Sequence, residues 1–429
     1  MTKQILVTDR ARPFATLGVA IPRGALYDPP GKAGLAYLTG QMLMRGTVGL
    51  NRAEIAETIE TLGSNLDVSV GRDHTTFWGD GLTRNQAKFS EVIAKILHRP
   101  TFPEAELEKL KRETLAELAS LRDDDASLGQ RFFVRALFHG HAYGRPVKGT
   151  EQTLAGISAA DCAAFHREVL TREGVVLGAA GDIDQVEMDR LERELCTPLP
   201  PRGSAEPVVA AAPEHTGYRV VLIDKPERTQ TQVFIGHMAP HALASDYTAL
   251  SIGQTTFGGT FTARLSHEVR EKRGWSYGAY SYLAGDQRLG TFSVRFYPSE
   301  KDTVPALQLV DEMLHAFVAD GPTQAEIEAA QSYLQNGHVF SVDTAARRLS
   351  ELASAELLGH PSDWVDTTVE RLRATSPDAI QRAVKTHMKP DDVTVAVVCT
   401  AKHLAPLIEQ WGRAASIDVV DWKTTLVDG

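Results

Sequence analysis

The fold is decided by SPDAIQRAVKTHMKPDDVTVAVVC, Ser376–Cys399, and by an earlier stretch with the same pattern, SAADCAAFHREVLTREGVVLGAAG, Ser158–Gly181. Each stretch begins with a serine that favours a helix N-terminus and ends in an apolar run typical of a buried strand. The two predicted helices start and end 218 residues apart. A constant offset predicts two copies of one α+β domain, with a chance match of short helix starts as the alternative.

A third pair of segments supports the repeat. AELE at Ala105–Glu108 and AEIE at Ala325–Glu328 lie 220 residues apart, and each begins a helix after a proline. Between the two copies, Pro198–Pro213 contains five prolines and no periodicity, which is typical of a linker. The sequence therefore predicts an N-terminal domain at 1–197, a Pro/Ala-rich linker at 198–213 and a C-terminal domain at 214–429.

Each copy is predicted to be a mostly antiparallel sheet with helices packed on it. In the first copy, β-branched and alternating apolar residues predict strands, and apolar residues at helical spacing predict helices. The predicted strands are Ile5–Thr8, Phe14–Pro22 and a hairpin over Asn65–Thr83; the predicted helices are Ala33–Arg45, Asn51–Leu62 with Asn51 as its cap, and a long helix that follows Pro103 and contains Glu117.

Composition places the chain among ordinary globular proteins, with 43% apolar and 23% charged residues. Its formal net charge of −10 repels phosphate backbones, which argues against nucleic acid as the main partner. The three cysteines, Cys162, Cys196 and Cys399, are far apart and predict neither a disulfide framework nor a zinc knuckle. We expect them to be buried.

The sequence contains no apolar stretch of the roughly 18 residues that a membrane span needs, and its N-terminus lacks the segments of a signal peptide. We therefore expect a soluble protein. Because a strand is predicted almost at Met1, removal of a leader is an alternative. The compartment stays open between the cytoplasm and, with a leader, the periplasm.

The first predicted helix carries GLAYLTGQMLMRGT, Gly34–Thr47. This segment resembles the zinc-site helix of the pitrilysin and mitochondrial processing peptidase family, whose signature is His-x-x-Glu-His. The two histidine positions fall on Tyr37 and Gln41, and the glutamate position falls on Gly40. The residues around them match the family pattern: Gly34, Ala36, Met42, Gly46 and Thr47.

The substitutions remove the chemistry of the motif. In the family, two imidazoles one helical turn apart bind zinc and the glutamate is the general base. Tyr37 and Gln41 are poor zinc ligands, and Gly40 offers no base. The resemblance places the family's third ligand at Glu117, which is retained, but one carboxylate does not make a zinc site. We expect Glu117 to be an ordinary helix residue or a remnant, and we expect no metal in this chain.

Two other candidate sites are weaker. His139 and His141 have the H-x-H spacing of a chelating strand, but their run resembles a loop that is structural in the family. TFGGTFTARL, Thr256–Leu265, has the glycines of a phosphate-binding loop but lacks the Lys-Ser/Thr that follows them in a P-loop. That segment instead resembles the family's turn into the next helix.

The second informative segment is LSHEVREKRGWSYGAYSY, Leu265–Tyr282. From residue types alone, a solvated basic helix end followed by a strand explains it. It also resembles the family's R-x-x-x-x-x-x-Y motif, with Arg270 and Tyr277 at the two motif positions. The resemblance implies that this pair binds substrate backbone and stabilises the oxyanion of acyl transfer at a zinc site.

Together these resemblances predict a zinc-free, non-catalytic subunit that is inactive alone. A homologous subunit with an intact His-x-x-Glu-His motif would supply the zinc, forming a heterodimeric zinc metallopeptidase that acts on unfolded peptides held partly by strand addition. One alternative is a scaffold or assembly protein of the same fold. Another is an autonomous hydrolase with an unusual site, because Ser, His and Asp residues occur in the sequence. A homodimer also stays open.

Overall fold

The computed structural model describes residues 2–203, 209, 212 and 215–424. The predicted linker, 198–213, therefore lies largely outside the described residues, and the domain boundaries stay predictions. Five strands form the first sheet, in the order β1-β5-β2-β4-β3. They are β1 (Lys3–Thr8), β2 (Phe14–Ile21), β3 (Asn65–Val70), β4 (Thr75–Leu82) and β5 (Val176–Gly181).

The second sheet repeats this order and adds one strand, which gives β8-β9-β7-β10-β6-β11. Most neighbouring strands are antiparallel; the parallel pairs are β1 with β5 in the first sheet, and β6 with β10 and with β11 in the second. The strands are β6 (Tyr218–Asp224), β7 (Gln232–Ala239), β8 (Ala279–Gly285), β9 (Gly290–Phe296), β10 (Thr394–Cys399) and β11 (Ala414–Asp421).

Helices cover both sheets. In the first half they are α1 (Leu35–Leu43), α2 (Arg52–Thr61), α3 (Gln86–His98), α4 (Glu104–Ser120), α5 (Asp125–Leu137), α6 (Glu151–Ala155), α7 (Ala159–Val169) and α8 (Gln185–Leu191). In the second half they are α9 (Tyr247–Gln254), α10 (Arg264–Ser266), α11 (Thr303–Asp320), α12 (Gln324–Ser341), α13 (Ala345–Leu358), α14 (Thr368–Ala374), α15 (Pro377–His387) and α16 (Ala401–Trp411). Helices α8, α9 and α10 continue as the π-helices Glu192–Cys196, Thr255–Gly259 and His267–Lys272.

The helix starts follow the predicted caps. The Ser158 side chain accepts a hydrogen bond from the Asp161 N–H at the start of α7, and Ser376 caps α15 in the same way. Asn51 forms a capping box with Glu54 at the start of α2. These helices and the strands after α7 and α15 confirm the predicted fold class of two homologous α+β domains.

The two halves exchange one helix each, which the sequence patterns do not reveal. Helix α5 of the first half packs on β7 and β10 of the second sheet, where Phe133 stacks on Phe234 with 6.0 Å between ring centroids. Helix α13 of the second half packs on the first sheet, where Leu357 lies against Val176. Each exchanged helix therefore fills the apolar face of the opposite domain.

The three cysteines are buried and unpaired, as predicted. Within the described part of the chain, the model contains no helix with the length and apolarity that a membrane crossing needs.

Candidate functional site

Helix α1 is held against the edge of the first sheet. Its start is fixed by the Asp28 carboxylate, which accepts hydrogen bonds of 2.8 and 2.7 Å from the Gly34 and Ala36 N–H groups. Gly40 faces strand β3, and a Cβ added there would lie 2.7 Å from Val70 Cγ2. A larger residue at position 40 therefore requires Val70 to move.

Gln41 binds the edge strand. Its Nε2 donates to the Val68 carbonyl of β3 at 2.9 Å. In the second half, Gln254 Nε2 donates at 2.7 Å to the Ser281 carbonyl of β8, the corresponding edge strand. Helix residue and strand residue are 27 positions apart in both pairs. The amide of Gln41 is thus already committed to a structural contact that both halves share.

Tyr37 and Glu117 are joined through Lys148, which the sequence patterns do not single out. The Lys148 ammonium pairs with the Glu117 carboxylate and lies 5.5 Å from the centre of the Tyr37 ring. Lys148 precedes the Gly-Thr pair of the loop that contains His139 and His141. A side-chain cation therefore stands between two of the three positions where the motif resemblance expects metal ligands.

The two loop histidines differ in their surroundings. His141 is buried, and its Nδ1 accepts a hydrogen bond of 3.1 Å from the Tyr143 N–H. His139 is exposed. Among the described residues, the structure contains no group of three or more His, Cys, Asp or Glu side chains placed to hold a metal ion.

Arg270 differs from the charged residues beside it. Lys272 and Arg273 both pair with Glu268, at 2.5 and 2.6 Å, and the Lys272 hydrogen bond is the main reason that the pKa of the Glu268 carboxyl is lowered. The Arg270 guanidinium instead stacks on Phe261, with 3.5 Å from its carbon to the ring centre. Its Nη1 is buried without a hydrogen-bond partner among the described residues.

Tyr277 follows the turn after the π-helix. Gly274 adopts a φ of 63° there, a conformation that favours glycine. The Tyr277 side chain is 85% exposed, although most large aromatic side chains are at least partly buried. Arg270 and Tyr277 thus both present hydrogen-bond donors that no described residue of this chain uses.

Comparison with known proteins now identifies the family. Residues 4–151 match the model described as "Insulinase (Peptidase family M16)", and residues 156–334 match "Peptidase M16 inactive domain". The chain belongs to peptidase family M16. This confirms the relationship that the motif resemblances predict.

Curated M16 relatives cover most of the chain. An "Uncharacterized zinc protease" of Mycobacterium leprae is 27% identical over 379 residues, which is 86% of this chain and 85% of that protein. The "Non-peptidase homolog YmxG" of Helicobacter pylori is 24% identical over 398 residues, or 91% and 90% of the two chains. The relatives of this M16 chain thus include proteins named as proteases and one named as a non-peptidase.

Solved structures share the M16 fold. A peptidase M16 inactive domain from Pseudomonas fluorescens has a TM-score of 0.86 and 22% identity, covering 98% of this chain and 97% of that one. A protease from Helicobacter pylori has a TM-score of 0.79 and 16% identity, covering 92% and 96%.

The M16 motif positions of this chain do not fit zinc. The Gln41 amide is held by the edge strand, and the Tyr37 hydroxyl is a poor ligand in place of an imidazole. Lys148 neutralises Glu117 and repels a second cation. Gly40 carries no base.

Among the described residues, no side-chain contact joins the two M16 motifs. Across residues 2–203, 209, 212 and 215–424, Tyr37 and Gln41 make no hydrogen bond, ion pair or ring contact with Arg270 or Tyr277.

Proposed function

We propose that this chain is the zinc-free subunit of a two-subunit M16 peptidase. A homologous partner carrying the intact zinc motif would form a heterodimer with it. The observation that carries the proposal is that Arg270 and Tyr277 have hydrogen-bond donors without partners among the described residues. Both donors are held in place or exposed, and neither is paired with a described group of this chain.

The chemistry of the pair suits a peptide held at the partner's zinc site. The guanidinium is permanently charged and fixed by Phe261. It would hold a substrate carbonyl in place, and the Tyr277 hydroxyl would donate to the oxygen as negative charge develops on it. The partner's zinc would supply Lewis-acid chemistry. Lys148, Gln41 and Gly40 argue that this chain contributes no metal of its own.

The test uses a fluorogenic peptide and a relative from the same genome that carries His-x-x-Glu-His. We expect this chain alone to be silent and the mixture to cleave. Arg270→Ala should lower kcat/KM in the mixture by about 100- to 1000-fold, as expected for loss of one oxyanion donor. Arg273→Ala is the matched control, because Arg273 already pairs with Glu268. Chelator-sensitive cleavage by this chain alone would overturn the proposal.

A scaffold of the same fold without a peptidase role is the second candidate. The likeness to a relative named "Non-peptidase homolog YmxG" favours it. The two candidates separate on the double variant Arg270→Ala, Tyr277→Phe. If the chain is a scaffold, the double variant keeps its assembly and its cellular role. If the chain is a peptidase subunit, the double variant keeps its assembly but the complex loses cleavage.

A further inference from the structure

Beside Tyr277, an aromatic patch surrounds one arginine at the edge of the second sheet. Tyr280 and Tyr282 lie on the same face of edge strand β8. Arg295 of β9 is paired with Tyr280 on one side and with Phe234 of β7 on the other. Phe234 also stacks on α5, so the patch lies next to that helix on the same face of the sheet.

Arg295 is held between two rings but has no acceptor among the described residues. Its guanidinium carbon lies 4.8 Å from the centre of the Tyr282 ring and 5.3 Å from that of Phe234. Its Nε is buried and has no hydrogen-bond partner in the described part of the chain. The side chain makes no hydrogen bond or ion pair with any residue that the structure describes, whereas Arg264, also in the second half, pairs with Glu326 through two of its nitrogens. Unpaired donors that have lost water are costly, which favours an external acceptor.

Tyr297 connects this patch to the Arg270–Tyr277 pair. A Cβ at Gly278 would lie 2.7 Å from Tyr297 Oη and 2.8 Å from Tyr280 Cε2, so the absence of a side chain lets the two rings approach. Burial raises the pKa of Tyr297, and the neighbouring hydroxyls of Tyr280, Tyr282 and Tyr277 raise it further. Tyr280 and Tyr297 therefore meet at Gly278, the residue after Tyr277.

We propose that Arg295, framed by Tyr280 and Tyr282, binds a carboxylate of the peptide that Tyr277 contacts. The planar guanidinium suits two parallel hydrogen bonds to a carboxylate. The protein as a whole carries a net charge of −10, which repels acidic peptides. A local cation that pairs with no described carboxylate therefore determines where the carboxylate of a peptide binds. The carboxylate is either an acidic side chain or the free C-terminus. The inference rests on the proposed function in taking as its ligand the peptide that Tyr277 contacts.

The experiment measures binding of labelled unfolded peptides to this chain alone by fluorescence anisotropy. Four matched peptides carry Glu or Gln at one position and a free or amidated C-terminus. We expect at least one carboxylate to tighten binding by about tenfold or more. Comparing Glu with Gln, and the free with the amidated C-terminus, shows which carboxylate is responsible. This gain should shrink as salt increases.

Variants assign the gain to Arg295. Arg295→Gln should abolish the difference between carboxylate and amide peptides, and Arg295→Lys should restore part of it, because the charge remains but the fork is lost. Arg373→Gln, an exposed arginine of the same half, removes the same charge and should leave the difference intact. Thermal unfolding of each variant shows whether it is folded.

Three results would overturn the inference. They are equal binding of all four peptides, no binding by the folded chain, and an Arg295→Gln variant that weakens carboxylate and amide peptides alike. None of these results requires zinc or a partner. If the mixture cleaves the peptide and this cleavage depends on Arg270, the proposed function is supported whatever the binding experiment shows. If the mixture does not cleave, a measured preference of this chain for carboxylate peptides still stands.

Discussion

Helix α1 in the first half and helix α9 in the second half meet their edge strands in the same way, through Gln41 and Gln254. In the first half this glutamine occupies a position where the family resemblance expects a zinc ligand. The first half thus has the same helix-to-strand contact as the second half. The comparison teaches that the amide of Gln41 is used in a backbone contact at the position where the resemblance expects a zinc ligand.

Lys148 in the first half and two arginines in the second half have different kinds of partner. In the first half, Lys148 pairs with Glu117 and lies over Tyr37. In the second half, Arg270 and Arg295 are stacked on aromatic rings, and neither pairs with a described carboxylate. A satisfied cation stabilises its own chain, whereas an unsatisfied one is available to a ligand. Both of these arginines, unpaired among the described residues, lie in the second half.

The largest effect should come from breaking the helix exchange. Phe133→Ala removes a ring that is 1% exposed and stacked on Phe234 of the other half. We expect the free energy of unfolding to fall by about 3–5 kcal/mol, measured by urea denaturation. Leu357→Ala on the reciprocal helix should cost about 2–5 kcal/mol. Val186→Ala is the control, since Val186 is 77% exposed; a similar loss there would contradict the prediction.

Cleavage should separate the two kinds of cation. In a mixture with a zinc-bearing partner, Arg270→Ala should cost about 2.7–4 kcal/mol in transition-state stabilisation, measured as kcat/KM. Lys148→Ala should leave kcat/KM within about twofold, because its pair is partly exposed and worth about 1 kcal/mol or less. Equal losses would mean that both cations act on substrate.

The two edge-strand glutamines should differ in strength. Gln254 is 7% exposed and donates both to the Ser281 carbonyl and to its hydroxyl. Gln254→Leu should therefore cost about 1–3 kcal/mol in unfolding free energy by leaving buried groups unpaired. Gln41→Leu, at a half-buried position with one such bond, should cost about 0.5–1.5 kcal/mol. Equal costs would indicate that burial does not distinguish the two contacts.

Rebuilding the motif tests the role of Lys148 in the first half. We expect the triple variant Tyr37→His, Gly40→Glu, Gln41→His to bind zinc weakly. Adding Lys148→Ala should tighten zinc binding by about tenfold or more, because it removes a like charge and frees Glu117. Isothermal titration calorimetry measures the difference; no gain from the fourth change would show that Lys148 does not exclude the metal.

Local signals predict much of this fold. Ser158, Ser376 and Asn51 mark helix starts because capping depends on neighbours within one turn. The strand after α7 and the strand after α15 follow from short apolar runs. The added edge strand β11 and the exchanged helix α5 are missed, since their contacts join distant parts of the chain.

The candidate site is predicted in part. Motif spacing identifies Arg270 and Tyr277, but not Phe261, whose ring fixes the guanidinium. Lys148 lies 31 residues from Glu117, so the pattern of neither segment reveals their pairing. The structural contact of Gln41 is likewise invisible until the edge strand is placed beside the helix.

The helix exchange also limits how this chain can move. A hinge at the linker would pull α5 from the second sheet and α13 from the first, and it would expose Phe133, Phe234, Val176 and Leu357 to water together. Uncovering two apolar faces at once is a partial unfolding rather than a swing between open and closed forms. Separation of the two halves is therefore not a route by which a ligand reaches Arg270 and Tyr277.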